Sequence, residues 1–205
     1  MHIAILTFEG FNELDSLLAF NMLNRIQRAD RRVSITSPVA RIRSRNGLLI
    51  EAQAPMSVAR EADVVLIGSG VQTLQMVKDA ALMAELRLDP SRQLIGAQCS
   101  GTLVLAKLGL LDGIPACTDL ITKPWVEAAG VSVLDTPFFA KGNVATAGGC
   151  LASQYLASWV IARLVGVEEA RAALHYIAPV GEKEQYISRA VQNIARFLKT
   201  EIAAA

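Results

Sequence analysis

Short apolar runs alternate with stretches of helical periodicity along this chain, and that alternation restricts the folds open to it. Residues 3–8 (IAILTF) open the series, and runs at 33–36, 63–68 and 93–98 continue it. Further strand candidates lie at 116–118, 131–134 and 143–147. Residues 41–44 and 48–52 flank Asn46-Gly47, a spacing that predicts a hairpin. Helical stretches fall between and after these runs. One covers 14–26, with Leu17, Leu18, Met22 and Ile26 on one face. One lies within 73–88, stopped by Asp89-Pro90, and another follows residue 99. Three more are expected at 151–164, 168–176 and 184–202. Strands alternating with helices imply a mostly parallel sheet covered on both faces, an α/β fold. No repeat or linker interrupts the pattern, so 1–205 is expected to form a single domain.

In such sheets ligands bind beyond the carboxyl ends of the strands. Phe8, Gly68 and Cys99 end strands, so 9–15, 69–70 and 100–101 should converge on one site. The run LIGAQCSG over 94–101 ends abruptly at Cys99 among small residues and feeds a helix. A cysteine at a strand-to-helix turn has its side chain pushed clear of the sheet, as in a nucleophile elbow. The adjoining helix N-terminus is expected to favour the thiolate, the reactive form. Asp15, near the start of the first helix, is placed to face Cys99; taken alone, its spacing equally suits an ordinary helix-start carboxylate. The Gly68-Ser-Gly70 turn allows close backbone approach and could offer an amide to an oxyanion. No Gly-Lys-Ser/Thr follows it, and GxGxxG is absent after the first strand, so phosphate and dinucleotide loops are excluded.

Histidine is the usual base for a cysteine nucleophile, yet only His2 and His175 exist. His2 begins a strand at the end opposite the expected site, and His175 lies in a late helix. A Cys-His dyad or triad is therefore not expected. The other cysteines, Cys117 and Cys150, are far from Cys99 in sequence and show no CxxC spacing, which argues against a disulfide framework or a structural zinc site. Hydrophobic residues make up 52% of the chain and charged ones 19%, which excludes a disordered protein. A net charge of +1 gives no electrostatic case for nucleic-acid or membrane partners. No apolar run nears the roughly 18 residues of a membrane span, and no signal peptide is visible, so a cytoplasmic protein is expected.

Several segments together resemble the ThiJ/PfpI superfamily, and within it the isocyanide hydratases. They are FEGFNELD over 8–15, DVVLIGSG over 63–70, AQCSG over 97–101, GLLDG over 109–113 and NVATAGG over 143–149. Each is weak singly; their order and spacing are specific. The resemblance implies a flavodoxin-like three-layer sandwich, usually a homodimer, with a reactive cysteine beside a protonated carboxylic acid. Carried over, Cys99 is the nucleophile and Asp15 its acidic partner, with Gly70 and Ser100 completing the pocket. Many members carry a histidine after an Ala-Thr-Thr segment. Here either Asp119 (in ACTD over 116–119) or the proline of TKPW over 122–125 stands in its place. Asp119 is thus a site candidate or an ordinary loop carboxylate, and Trp125 a pocket wall or a core or dimer residue.

The activity this implies is covalent catalysis on a small electrophile, with no metal or organic cofactor required. Isocyanide hydration through a thioimidate is its most specific form, and a glyoxalase-like reaction on 2-oxoaldehydes is a relative. A redox or stress-response module, signalling through oxidation of Cys99, is the alternative from a different class.

Overall fold

The computed structural model describes residues 1–198. Its elements run β1 (His2–Leu6), α1 (Glu13–Leu23), β2 (Arg32–Ser37), β3 (Arg41–Arg43), β4 (Leu49–Glu51), β5 (Ala54–Pro55) and β6 (Val64–Ile67). Then come α2 (Thr73–Met76), α3 (Ala80–Glu85), β7 (Leu94–Gln98), α4 (Gly101–Lys107), α5 (Lys123–Ala128), β8 (Phe138–Lys141) and β9 (Val144–Ala147). The helices α6 (Ser153–Val165), α7 (Val167–Ile177) and α8 (Lys183–Ala195) close the described chain. Seven strands form one sheet in the order β5-β2-β1-β6-β7-β9-β8, and β3 and β4 make the expected hairpin. All pairings in the large sheet are parallel except β8 with β9. The run β2-β1-β6-β7-β9 is the flavodoxin-like order, with its switch in strand order at β1.

Side-chain alternation along β1 builds both halves of the core. Ile3 and Ile5 point to one face, where they join Met22 of α1, Leu156 and Trp159 of α6, Leu174 of α7 and Ile187 of α8. Ala4 and Leu6 point to the other, with Val65, Ile67, Ile95, Leu103 and Val104. Every residue of β6 and β7 is buried, as strands covered on both faces require.

Four local expectations are corrected. Along α1 the inward stripe is Asp15, Ser16, Ala19, Met22 and Leu23, while Leu17 and Leu18 are only half-buried. The 3.6-residue period links 15, 19, 22 and 23, so the helix turns Asp15 toward the interior. Residues 73–88 hold two short helices, because Asp79 caps a new start by accepting from the amides of Ala81 and Leu82. Residues 116–118 and 131–134 form no strands: a lone bridge joins Ala116 to Val133. The outer strand is instead β8, folded back onto β9 through Gly142, which holds φ at +59°. The last expected helix ends at Ala195, and its continuation beyond 198 lies outside the described residues.

The two phenylalanines of β8 provide a test of this arrangement. Phe138 is fully buried against Trp159, with ring centroids 6.3 Å apart, while Phe139 is half-buried. Phe138→Ala should cost about 3–5 kcal/mol and Phe139→Ala clearly less, as read by urea denaturation. Equal losses would contradict the assigned register.

Candidate active site

Three loops interlock at the carboxyl end of the sheet. Phe11, fully buried, bridges both Ser44 of the hairpin loop and Gly70 of the turn after β6. The Val71 amide donates to the Gly10 carbonyl and the Asn12 amide to the Ser69 carbonyl, at 3.0 and 2.9 Å. A Cβ on Gly70 would sit 2.9 Å from the Gly10 oxygen, so glycine is needed there for the backbones to meet. Asn12 caps α1, its Oδ1 accepting from the Leu14 amide at 3.1 Å.

Cys99 is the one described residue other than glycine with positive φ, at +47°. Such backbone is costly for an L-residue and is held by its surroundings. The Cys99 amide donates to Ala147 of β9 at 2.8 Å, and the Thr118 hydroxyl donates to the Cys99 carbonyl at 2.7 Å. Gly101 lets the turn pack against β6: a Cβ there would lie 2.5 Å from the Ile67 oxygen. These contacts form the expected elbow.

Asp15, 2% exposed, and Cys99, 4% exposed, meet beneath a cavity of about 350 Å³. A carboxylate oxygen of Asp15 and the sulfurs of Cys99 and Cys150 all lie within 4.8 Å of one another. Ser69 donates its hydroxyl to Asp15 Oδ2, while Oδ1 is buried without a hydrogen-bonding partner among the described residues. Burial pushes the Asp15 carboxyl above the ordinary aspartate value, and the Ser69 bond only partly opposes it. Burial also pushes the Cys99 thiol up, and the Asp15 charge adds to that rise. Both oppose the thiolate that the helix N-terminus is expected to favour. Helix α4 has only seven residues, and burial outweighs it. Two anions this close are costly, so ionisation of either group opposes ionisation of the other.

The other expected residues also reach the cavity, in altered roles. Gly70 and Ser100 line it, but the Gly70 amide already donates to Ser100 Oγ at 3.1 Å, so it is not a free oxyanion donor. Thr73 Oγ1 stands 2.9 Å from the same hydroxyl. Asp119 and Trp125 line the wall. The Asp119 carboxylate accepts from the amides of Ile121 and Thr122 at 3.0 Å and from the Thr122 hydroxyl at 2.7 Å, so it also builds the turn into α5. Neither histidine lines the cavity: His2 Nε2 contacts Ser34 Oγ at 2.7 Å at the start of β1, and His175 is exposed on α7.

Sequence reasoning missed Cys150, Asn12 and Gln98. Asn12 Nδ2 donates to the Cys150 sulfur at 3.1 Å. Gln98 Nε2 donates to the Gly149 carbonyl at 2.8 Å and lies 3.5 Å from the Cys99 sulfur. The strand-end rule reaches Cys150 as well, since it follows β9, the parallel neighbour of β7. The carboxyl group and two thiols are also a donor set suited to a thiophilic divalent ion.

The sequence model of the DJ-1/PfpI family matches residues 1–163. The chain belongs to that family. Its fold is similar to a ThiJ/PfpI family protein from Pseudomonas syringae, with TM-score 0.78 and 21% identity over 97% of this chain and 88% of that one. It is likewise similar to Schizosaccharomyces pombe DJ-1, with TM-score 0.73 and 13% identity over 87% of this chain and 100% of that one. Drosophila melanogaster DJ-1beta matches with TM-score 0.73 and 22% identity, over 84% and 94% of the two chains. No functionally curated protein matches the chain in sequence. Among the described residues, no helix is long and apolar enough to cross a membrane.

The raised carboxyl has a measurable consequence. Because folding favours protonated Asp15, that contribution is complete below the unfolded-state pKa of about 4 and is lost as pH rises through the folded value. Asp15→Asn, neutral at all pH, should gain stability relative to the parent as pH climbs from about 4 toward neutrality. Urea denaturation across that range reads the difference, and a constant gap would contradict a raised Asp15.

Proposed function

We propose that the protein is a cysteine-dependent enzyme acting on a small electrophile, with isocyanide hydration as the specific reaction. The observation that carries this is the Cys99–Asp15 pair, buried together beneath a small cavity that no histidine lines. Cys99 attacks the terminal carbon of the isocyanide, and Asp15 protonates that carbon, giving a thioimidate. Asp15 then takes a proton from water as the oxygen adds to the same carbon. Asp15 passes that proton to the imidate nitrogen; as the carbon–sulfur bond breaks, Cys99 leaves as the thiolate, Asp15 takes the hydroxyl proton, and an N-substituted formamide departs. The proton is back on the pair, so the cycle closes without histidine. Val71, Ile121 and Trp125 supply apolar wall for the group on the isocyanide nitrogen.

Purified protein incubated with para-nitrophenyl isocyanide should release the formamide. Cys99→Ala should abolish turnover, and Asp15→Asn should lower it about 10²–10⁴-fold. Cysteine-dependent turnover of methylglyoxal in its place would favour the glyoxalase-like reaction. Turnover of neither would remove the enzymatic reading in both forms.

A homodimer belongs to the same proposal. Leu14 of α1 and Leu48 and Leu49 of the hairpin are exposed. Glu13 joins the two elements by accepting from Ser44 and, at 3.0 Å, from Asn46. Light scattering that gave the mass of one chain would refute it.

A further inference from the structure

We propose that Cys150 is a resolving cysteine: on contact with a peroxide, Cys99 and Cys150 close into a disulfide that reversibly shuts the site. The isocyanide reaction has no use for Cys150, yet its sulfur lies within 4.8 Å of both the Cys99 sulfur and an Asp15 oxygen. It lines the same cavity, so an oxidant that reaches one thiol reaches the surroundings of the other. All three cysteines are unbridged in the structure.

Local architecture aims this second sulfur. Asn12 has its carbonyl oxygen fixed by capping α1, which turns its amide onto Cys150 at 3.1 Å. Burial and the Asp15 charge push the Cys150 thiol up, and the Asn12 donor opposes that rise in part. The loop carrying Cys150 is tied to the elbow through Gln98 and the Gly149 carbonyl, so the two sulfurs stay neighbours. Gly149, with φ at +85° and open space where a Cβ would stand, provides the pivot for the last approach.

The chemistry balances on the groups present plus the peroxide. The Cys99 thiolate attacks one peroxide oxygen; an S–O bond forms, the O–O bond breaks, and the sulfur is oxidised by two electrons. The departing hydroxide takes the Asp15 proton and leaves as water. Asp15 then accepts the Cys150 proton, and the Cys150 thiolate attacks the sulfenic sulfur. The S–S bond forms, the S–O bond breaks, and the second hydroxide leaves with that proton as water. Two thiols and one hydrogen peroxide thus become one disulfide and two waters. A free sulfenic acid would instead climb to the irreversible sulfinic state, so Cys150 would keep the oxidation recoverable.

The switch needs only that Cys99 be the reactive sulfur, whatever the substrate. The parent protein, Cys117→Ser and Cys150→Ser are each treated with mild hydrogen peroxide and followed by intact mass and non-reducing peptide mapping. Parent and Cys117→Ser should lose about 2 Da and yield a Cys99–Cys150 cross-linked peptide, whereas Cys150→Ser should gain about 32 Da at Cys99. Dithiothreitol should reverse the change in the first two and not in the third. Uptake of oxygen at Cys99 in the parent at the Cys150→Ser rate, with no cross-linked peptide, would overturn the proposal, as would no change in mass. Absence of isocyanide turnover by the reduced protein would sink the proposed function and leave the mass result standing.

Discussion

Cys99 holds φ at +47°, and the rest of the site is arranged around keeping it there. A single residue forced into such backbone costs of order 1–3 kcal/mol. The neighbours that offset it come from three separate segments: Ala147 of β9 on its amide, Thr118 on its carbonyl, and the carbonyls at the end of β6 packed under Gly101. Each contact is possible only if β6, β7 and β9 are adjacent and in register, as the pairings of Ile67 with Ala97 and of Gln98 with Ala147 show. The sheet therefore does more than support the cysteine. Its register determines where the sulfur points.

Burial and charge act together on that sulfur. A thiol and a carboxyl, each nearly inaccessible, cannot readily both ionise at this separation, so the ionisation of each is tied to that of the other. Ser69 orients one oxygen of the carboxyl, and the other has no fixed donor among the described residues. On the proposed function, proton transfer runs between Asp15 and whatever bonds to Cys99. The same acid also borders Cys150, which extends its reach to a second sulfur.

The parallel strands were legible because continuous apolar runs bounded by glycine or polar turns have few other readings. Cys99 stood out at the end of one of them. Asp15 was harder: its neighbours Leu17 and Leu18 suggested a different inward face, and only the packing of Ala19, Met22 and Leu23 reveals that the acid heads the buried stripe. Strand β8 escaped because an antiparallel edge strand depends on the turn at Gly142 and on aromatic packing with Trp159, neither of which is a local pattern. The apolar stretch 131–134 misled for the converse reason: Val131 is buried in the core under α5 rather than paired in the sheet. Cys150 lies where chain order gives no hint of closeness, since 51 residues separate Gln98 from the Gly149 carbonyl it binds.

The closed hydrogen bond between the Gly70 amide and Ser100 Oγ bears on which reactions this elbow can serve. Acyl transfer builds negative charge on oxygen and needs an unoccupied amide to receive it. Here the Gly70 amide is engaged, and Thr73 shares the same hydroxyl. Charge that grows on carbon needs a proton instead, and the neighbouring acid is Asp15, whose carboxyl burial pushes up. On the proposed function, the selectivity of the pocket lies as much in where a substrate places its developing charge as in its size.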